Sequence, residues 1–402
     1  MKFETKKIIN DPVYGIINLP DGILYDLISH PYFQRLRRIS QLGLSNFVYP
    51  GANHTRFHHA LGALHLCLET LEMFQKRGIQ LSHEEAEGVA IALLLHDIGH
   101  GPFSHVLEST LTGLHHEELT LAIMEMLNQE FDSRLSLAIA IFKGEYKSNF
   151  LHQLVSGQLD LDRMDYLNRD SFFTGVAEGK IGYDRIIKML TVVDGQLAVE
   201  EKGIYSVEKF LMARRLMYWQ VYLHKTVLAV EQMLIRLLEQ ARKCILGGEQ
   251  FLISDALLFF MLQKHKPFNP DYELVSNFLE LDDYDIWWAL KQFARSVDPV
   301  LSHLSNAILK RDIFKIELSK EKFSMQEVEY RIKSIENMTG YTAEVAASLV
   351  LTGTETNEMY TKGKDEIKIV MKDGSLRKFS EISDYPVNSG YVRKYFISYP
   401  KH

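Results

Sequence analysis

The sequence predicts a mainly α-helical protein with short β-hairpins and a small α+β region near its C-terminal end. Apolar residues recur at helical spacing from Gly22 to about Gln129, and helical spacing returns as far as about residue 350. Asp-Gly pairs at 194–195 and 373–374, each flanked by short apolar runs, are typical of two-residue hairpin turns. The chain has 402 residues, 46% of them hydrophobic, and can therefore bury a large core.

The predicted elements are separated by proline and glycine. Residues 8–17 are predicted to form a short strand or an extended loop. The helical stretch that follows is expected to break at Pro31, Gly43, Pro50-Gly51 and Gly101-Pro102. Further helices are predicted over Leu151–Asp170 and Val207–Leu246, with one hairpin over 192–199 and a second over 366–379.

We expect three regions in the chain. These are a core with its N-terminal segment (1–250), a helical extension (251–330) and a small α+β region (331–402). A net charge of −7 argues against a general nucleic-acid-binding surface. Two cysteines form no disulfide framework, and the sequence shows neither a secretory signal nor a membrane-spanning run, so a cytoplasmic location is predicted.

The dipeptide His96-Asp97 is the strongest chemical signal in the chain. It ends an apolar run, and His100, His105 and His116 follow within a short stretch. Histidines are often ordinary core or surface residues, but this density beside an aspartate favours a divalent-metal site with nitrogen and oxygen ligands. Water bound to such a metal is a nucleophile near neutral pH. The sequence therefore predicts a metal-dependent phosphohydrolase.

Three predicted helices could complete such a site. His59 begins an apolar helix with Gly62, Ala63 and Leu66 on the same face, where small residues would let another helix approach. Asp162, Tyr166 and Asp170 form a second stripe, and Arg214, Tyr218 and Tyr222 form a third, with Lys225 three residues beyond. The third stripe would suit a nucleotide, with charge for phosphates and rings for base or sugar. A solvated acidic face and an interface helix with snorkelling basic side chains are the alternatives for the second and third stripes.

The chain resembles the HD-domain phosphohydrolase superfamily, in the branch of the SAM-and-HD-domain dNTP triphosphohydrolases and their bacterial relatives. No SAM domain is expected ahead of the core. The resemblance covers roughly residues 7–240 in order. It is carried by the blocks Asn10-Asp11-Pro12, Phe33 to Gly43, Tyr49 to His59, His96 to His105, His116-Glu117, Asp162 to Tyr166, and Tyr222 to Lys225.

The resemblance implies a role for each matching residue. The metal ligands would be His59, His96, Asp97 and Asp162, holding iron, manganese or zinc, with magnesium accompanying the substrate phosphates. The histidines that contact phosphates and protonate the leaving oxygen would be His100, His105 and His116, with Glu108 orienting His105. The substrate-binding residues would be Gln41 and Leu42 at the deoxyribose, Asp170 at its 3′-hydroxyl, Tyr166 and Tyr222 on sugar and base, and Arg56, Arg163 and Arg214 on phosphates. Tyr218 stands where the family has a phosphate-facing histidine.

Some members of the family that the chain resembles bind a guanine nucleotide at an allosteric site. Lys7, Asn10, Gln34 and Arg37 match that site, but Ser29 replaces the aspartate that reads guanine. The sequence therefore leaves open whether a nucleotide regulates the protein at this site.

The expected function is hydrolysis of a dNTP to a deoxynucleoside and triphosphate by metal-activated water, in a homo-oligomer of two or four chains. Two alternatives remain open. One is a monophosphatase or phosphodiesterase on the same metal site. The other is a nucleotide-sensing or nucleic-acid-binding module with vestigial catalysis, against which the complete set of matching ligands argues.

Overall fold

The protein is mainly helical, as predicted, in a computed structural model that describes residues 4–263, 270–358, 366–384 and 391–401. The first half of the chain begins with an antiparallel hairpin and continues as helices. Its elements are β1 (Thr5–Asp11), β2 (Gly15–Pro20), α1 (Ile23–Ser29), α2 (Pro31–Gln34), α3 (Arg56–Lys76), α4 (His83–Leu95), α5 (His116–Glu130), α6 (Ser136–Phe142), α7 (Asn149–Val155) and α8 (Leu161–Thr174).

The second half alternates helices with short strands. Its elements are α9 (Tyr183–Met189), β3 (Leu190–Val193), β4 (Gln196–Glu200), α10 (Ile204–Met217), α11 (Lys225–Leu246), α12 (Asp255–Leu262), α13 (Tyr272–Glu280), α14 (Asp283–Phe293), α15 (Pro299–Leu309), β5 (Lys315–Ser319), α16 (Met325–Thr339), α17 (Ala343–Ser348), β6 (Leu351–Glu358), β7 (Lys368–Val370), β8 (Leu376–Lys378), α18 (Phe379–Ile382) and β9 (Tyr391–Tyr399). None of the described helices is both long and apolar enough to cross a membrane.

Two long helices predicted from the sequence are each divided in the structure, so those predictions were wrong. The stretch Leu151–Asp170 contains α7 and α8, because Asp160 accepts hydrogen bonds from the backbone amides of Gly157 and Arg163 and caps a new helix. The stretch Val207–Leu246 contains α10, a π-helical turn over Tyr218–Tyr222, and α11, whose N-cap is His224. Local hydrogen bonds thus break a continuous apolar pattern.

Both predicted Asp-Gly hairpins are present, as the pairs β3–β4 and β7–β8. They join in one sheet of order β3-β4-β7-β8, in which β4 and β7 run parallel. The other C-terminal strands form an antiparallel sheet of order β5-β9-β6. Strand β4 of the predicted core pairs with β7 of the predicted C-terminal region, so one sheet contains strands of both regions. The boundaries at residues 250 and 330 stay predictions.

Helix α8 packs against α3 at a point where α3 has no side chain. A Cβ on Gly62 would lie 2.0 Å from Asp165 Oδ1 and 2.2 Å from Arg169 Nη2. Helix α4, whose residues from Gly88 to Leu95 are buried, packs on the same helix. The close approach predicted from Gly62 is therefore observed, and it brings the ends of α4 and α8 next to His59.

Candidate metal centre and substrate cavity

Four side chains predicted as metal ligands converge on one point. His59 Nε2, on α3, lies 3.2 Å from His96 Nε2, 3.0 Å from Asp162 Oδ1 and 3.5 Å from Asp97 Oδ2. His96 Nε2 lies 3.4 Å from Asp97 Oδ1 and 3.4 Å from Asp162 Oδ1. Ligand atoms about 2.1 Å from one metal ion are about 3 Å apart at neighbouring coordination positions. The separations therefore fit a bound divalent ion.

Both imidazoles are oriented by a second hydrogen bond. His59 Nδ1 lies 2.7 Å from Asp165 Oδ2, and His96 Nδ1 lies 2.6 Å from the carbonyl oxygen of Leu93. Each acceptor favours a proton on Nδ1, which leaves the Nε2 lone pair for a metal. The donor set of two imidazoles and two carboxylates suits a transition metal of mixed nitrogen and oxygen preference.

Two buried ion pairs connect the hydrogen-bond partner of His59 to the N-terminal hairpin. Asp165 accepts hydrogen bonds from Arg169 at 2.9 and 3.0 Å, and Arg169 donates another to Asp11 at 2.8 Å. Asp11 in turn accepts from the backbone amides of Val13 and Tyr14 in the N-terminal hairpin. The sequence interpretation did not assign Asp165, Arg169 or Asp11 to the site. The i, i+4 spacing of Asp165 and Arg169 on a predicted helix could have indicated their ion pair.

The histidine and aspartate side chains of the cluster have pKa values that favour their charged forms. Burial lowers the pKa of His59, but the hydrogen bonds that its ring donates to Asp162 and Asp165 raise that pKa to about 10. Burial raises the pKa of Asp97, but Arg56 and the histidines bring that pKa well below its usual range. Anionic carboxylates thus surround His59, and a divalent cation can replace the proton they hold there.

Arg56, predicted to bind phosphate, points at the centre. Its guanidinium hydrogen-bonds to Asp97 and donates to the hydroxyl of Ser104 at 2.8 and 3.0 Å. Ser104 and Phe103 both have positive φ, at 59° and 53°. This strained turn is held by Asp283 of α14, which accepts from the amides of Phe103 and Ser40. Asp283 lies beyond the matched part of the sequence and was missed.

A second group of histidines lies beside the first. His100 Nδ1 is 3.2 Å from Asp97 Oδ1, and the rings of His100 and His116 are 4.0 Å apart between centroids. His116 Nδ1 lies 3.1 Å from Glu108 Oε1. Glu108 was predicted to orient His105, whose side chain lies outside the described part of the structure. In the described residues Glu108 is placed to orient His116 instead.

A cavity of about 610 Å³ opens from the metal cluster. It brings together the predicted residues Gln41, Leu42, Arg56, Asp97, His100, His116, Asp162, Tyr166, Asp170, Arg214, Tyr218 and Tyr222, and it also includes Glu231 and Glu355, which the sequence interpretation missed. Arg163 is placed elsewhere: it donates to Asp160 at 2.7 Å and lines a separate cavity of about 270 Å³.

Three tyrosines lead away from the metal ligands along this cavity. Ring centroids are 6.5 Å apart for His59 and Tyr166, 6.1 Å for Tyr166 and Tyr222, and 6.1 Å for Tyr222 and Tyr218. Asp170 is fixed beside them by the Tyr222 hydroxyl and by His54 Nε2, each at 2.8 Å. The arrangement offers ring faces and a carboxylate next to the cluster of candidate metal ligands.

Of the residues that the resemblance assigns to an allosteric site, Gln34 and Arg37 are hydrogen-bonded to each other. Gln34 donates to the carbonyl oxygen of Ile28 at 2.6 Å, and Arg37 donates to Gln34 at 2.7 Å. The Arg37 guanidinium also stacks on Phe57. Lys7 and Asn10 are exposed on β1 and Ser29 is exposed at the end of α1.

Comparison with known proteins agrees with this geometry. Residues 56–170 match the family model described as HD domain, and residues 181–272 match the HD associated region. An uncharacterised Bacillus subtilis protein, YwfO, is 32% identical over 321 residues, which cover 78% of this chain and 72% of that protein. The Dictyostelium discoideum protein named deoxynucleoside triphosphate triphosphohydrolase SAMHD1 homolog is 32% identical, over 63% of this chain and 52% of that protein.

A solved structure covers nearly the whole chain. The Bacteroides thetaiotaomicron protein described as a phosphohydrolase is 50% identical, with a TM-score of 0.94 over 98% of this chain and 100% of that one. In contrast, the chain spans only about half of the named triphosphohydrolase from Dictyostelium discoideum.

Proposed function

Because the chain belongs to the HD-domain family of phosphohydrolases, we propose that it is a dNTP triphosphohydrolase, which releases a deoxynucleoside and triphosphate. One observation carries the proposal. A single cavity joins the cluster of His59, His96, Asp97 and Asp162 to the tyrosines and to Asp170. A phosphate at the cluster would therefore place an attached sugar and base along the tyrosine rings.

The metal-binding role of the cluster follows from its donors and spacing. A divalent iron, manganese or zinc ion there would supply Lewis-acid chemistry and lower the pKa of a water molecule. Asp165 keeps the lone pair of His59 turned towards that point, and the carbonyl oxygen of Leu93 does the same for His96. We propose magnesium as the ion that accompanies the substrate phosphates.

The reaction needs attack on one side of the α-phosphorus and protonation on the other. Water adds to the phosphorus, the bond to the 5′-oxygen breaks, and that oxygen takes a proton as the deoxynucleoside leaves. His116 is the proposed proton donor: Glu108 lies at its Nδ1, the ring faces the cavity with His100, and in the doubly protonated imidazolium the Nε2 proton passes to the 5′-oxygen. Arg56 and Arg214 are the proposed phosphate ligands inside the cavity. His105 stays a candidate for protonation from the sequence alone.

The sugar is the proposed basis of selection. The Tyr222 ring lies between Tyr166 and Tyr218, and its hydroxyl is tied to Asp170. A ring fixed in this way leaves little space for a 2′-hydroxyl. Asp170 has lone pairs left to accept a hydrogen bond from a 3′-hydroxyl. Gln41 and Leu42 are the proposed contacts on the other side of the deoxyribose.

The test is a substrate panel of dNTPs, NTPs, monophosphates and phosphodiesters with metal-replete enzyme and product analysis. We expect triphosphate from dNTPs and slower turnover of NTPs, and Tyr222→Ala is expected to reduce that difference. Tyr205→Ala is the matched control, because Tyr205 is 74% exposed on α10. Activity on a monophosphate or phosphodiester, with none on any triphosphate, would replace the proposal with a phosphatase or phosphodiesterase.

Oligomeric state and location remain predictions. A homo-oligomer of two or four chains is proposed from the resemblance alone, and light scattering of the purified protein tests it. A cytoplasmic location is proposed from the cysteine content.

A further inference from the structure

Two glutamates line the substrate cavity at positions to which the resemblance assigns no role. Glu231 lies on α11, two turns after the cap at His224, and Glu355 lies on β6 in the C-terminal sheet. They come from distant parts of the chain and face the same space. Among the described residues, neither carboxyl group has a hydrogen-bond or ion-pair partner. Carboxyl groups that face a cavity without a partner point to a ligand that supplies hydrogen-bond donors.

Glu355 lies beside Tyr218, the last ring of the line that begins at His59. The line of rings from His59 runs through Tyr166 and Tyr222 to Tyr218, and Glu355 is close enough to Tyr218 to raise the pKa of that phenol, after the larger effect of burial. A substrate with its phosphates at the cluster and its sugar at Tyr222 would therefore extend its base towards the glutamates.

Backbone next to the proposed sugar site approaches Glu231. Gly43 follows Gln41 and Leu42, and a Cβ at Gly43 would lie 3.7 Å from Glu231 Oε1 and 3.2 Å from the carbonyl oxygen of Phe103. Gln41 is 9% exposed, and its side-chain oxygen, buried in the cavity wall, has no hydrogen-bond partner among the described residues. Three side chains that line the cavity thus have oxygens without partners, which a bound molecule could provide.

The two carboxyl groups are close enough for the charge of Glu355 to affect the pKa of Glu231. Burial and then repulsion by Glu355 raise the pKa of Glu231 to about 8, and burial raises the pKa of Glu355. Most of the oxygen lone pairs of the two carboxyl groups are hydrogen-bond acceptors in either protonation state. A complementary ligand must present N–H donors.

We propose that Glu231 and Glu355 read the hydrogen-bonding edge of the substrate base and favour bases with an exocyclic amino group over thymine. This inference rests on the proposed dNTP triphosphohydrolase activity. Adenine, cytosine and guanine each place an amino group on that edge, whereas thymine places one N–H between two carbonyl oxygens. Thymine supplies the pair with only one N–H donor, so carboxyl oxygens that an amino group would satisfy are left without a donor, which weakens binding.

The experiment compares kcat/KM for dATP, dCTP, dGTP and dTTP in the full-length, metal-replete protein. We expect the three amino-bearing substrates to exceed dTTP by roughly tenfold to a hundredfold. Glu231→Gln and Glu355→Gln should each bring the ratio towards one, because an amide N–H can donate to a thymine carbonyl. Glu239→Gln is the matched control on α11, where Glu239 is exposed and pairs with Arg236.

The outcomes separate the two proposals. Hydrolysis of no dNTP by the unmodified protein would overturn the proposed function and this inference with it. Equal hydrolysis of all four dNTPs, or a preference that neither glutamine variant changes, would overturn the inference and leave the triphosphohydrolase activity standing. Two variants from different elements guard against misfolding of one, and a thermal melt checks each.

Discussion

Replacement of Asp165 by asparagine is expected to weaken metal binding although Asp165 does not face the metal. The carboxylate lies 2.7 Å from His59 Nδ1 and has no exposed surface. Asparagine keeps the shape but removes the charge that fixes the proton on Nδ1. Loss of such an orienting partner typically lowers metal affinity about 10–100-fold, which corresponds to about 1.4–2.8 kcal/mol.

The same change removes a buried partner of Arg169. Loss of one partner of a buried ion pair costs about 3–5 kcal/mol. Arg169 keeps Asp11 at 2.8 Å, so we expect the lower end, about 3 kcal/mol, in urea unfolding of the metal-free protein. Asp11→Asn is the matched control. It also deprives Arg169 of one charge, and its remaining oxygen still accepts from Val13 and Tyr14, but it leaves the bond between His59 and Asp165 intact.

The assay is competition for Zn²⁺ or Mn²⁺ against a chelator of known affinity, with urea unfolding of each variant in parallel. Asp165→Asn should lose both affinity and stability, and Asp11→Asn should lose stability alone. Unchanged affinity in Asp165→Asn would refute the orienting role of the carboxylate. An equal loss of affinity in both variants would show that the effect comes from general destabilisation.

Further predictions follow from the same geometry. Asp162→Ala should leave a folded helical protein that holds no transition metal by elemental analysis; full occupancy would contradict the ligand assignment. His116→Ala should keep its metal and lose two to four decades of kcat, whereas wild-type turnover would move the proton donor to another group. Gly62→Ala should lower the free energy of unfolding by about 1–3 kcal/mol, because its Cβ would meet Asp165 Oδ1 at 2.0 Å; an unchanged urea midpoint would refute the tight contact. Glu231 has its pKa raised from 4.5 to about 8, so the folded state holds an extra proton between these values and stability falls as pH rises through them. Glu231→Gln should therefore raise Tm by roughly 2 °C at pH 8 and by less at pH 5, and an equal shift at both pH values would count against a buried proton on Glu231.

The metal cluster could be predicted because its ligands lie in recognisable sequence contexts. His96-Asp97 ends an apolar run, and Gly62 on the helix of His59 indicated a close helix contact that the structure contains. The stripes on α8 and on α10 with its π-turn also face the cavity, although α10 and α11 are separate helices. Periodicity identifies which residues share a face, and this was sufficient for most of the cavity wall.

The rest depends on contacts between distant parts of the chain. The resemblance implied that Glu108 orients His105, and in the described residues the fold brings Glu108 to His116. Asp283 and Glu355 come from elements beyond the recognisable motifs, and spacing gives no indication that they reach the cavity region. Arg163 follows Asp162 directly, yet it donates to the helix-capping Asp160 and lines the separate cavity. Hydrogen-bond partners of this kind are fixed by tertiary packing.

The position of attack by water tests the proposed chemistry most directly. The metal-replete protein is incubated with a dNTP in ¹⁸O-labelled water, and the products are analysed by mass spectrometry. Attack at the α-phosphorus predicts one ¹⁸O atom in triphosphate and none in the deoxynucleoside. Label in orthophosphate or pyrophosphate, or in the deoxynucleoside, would contradict the proposed reaction.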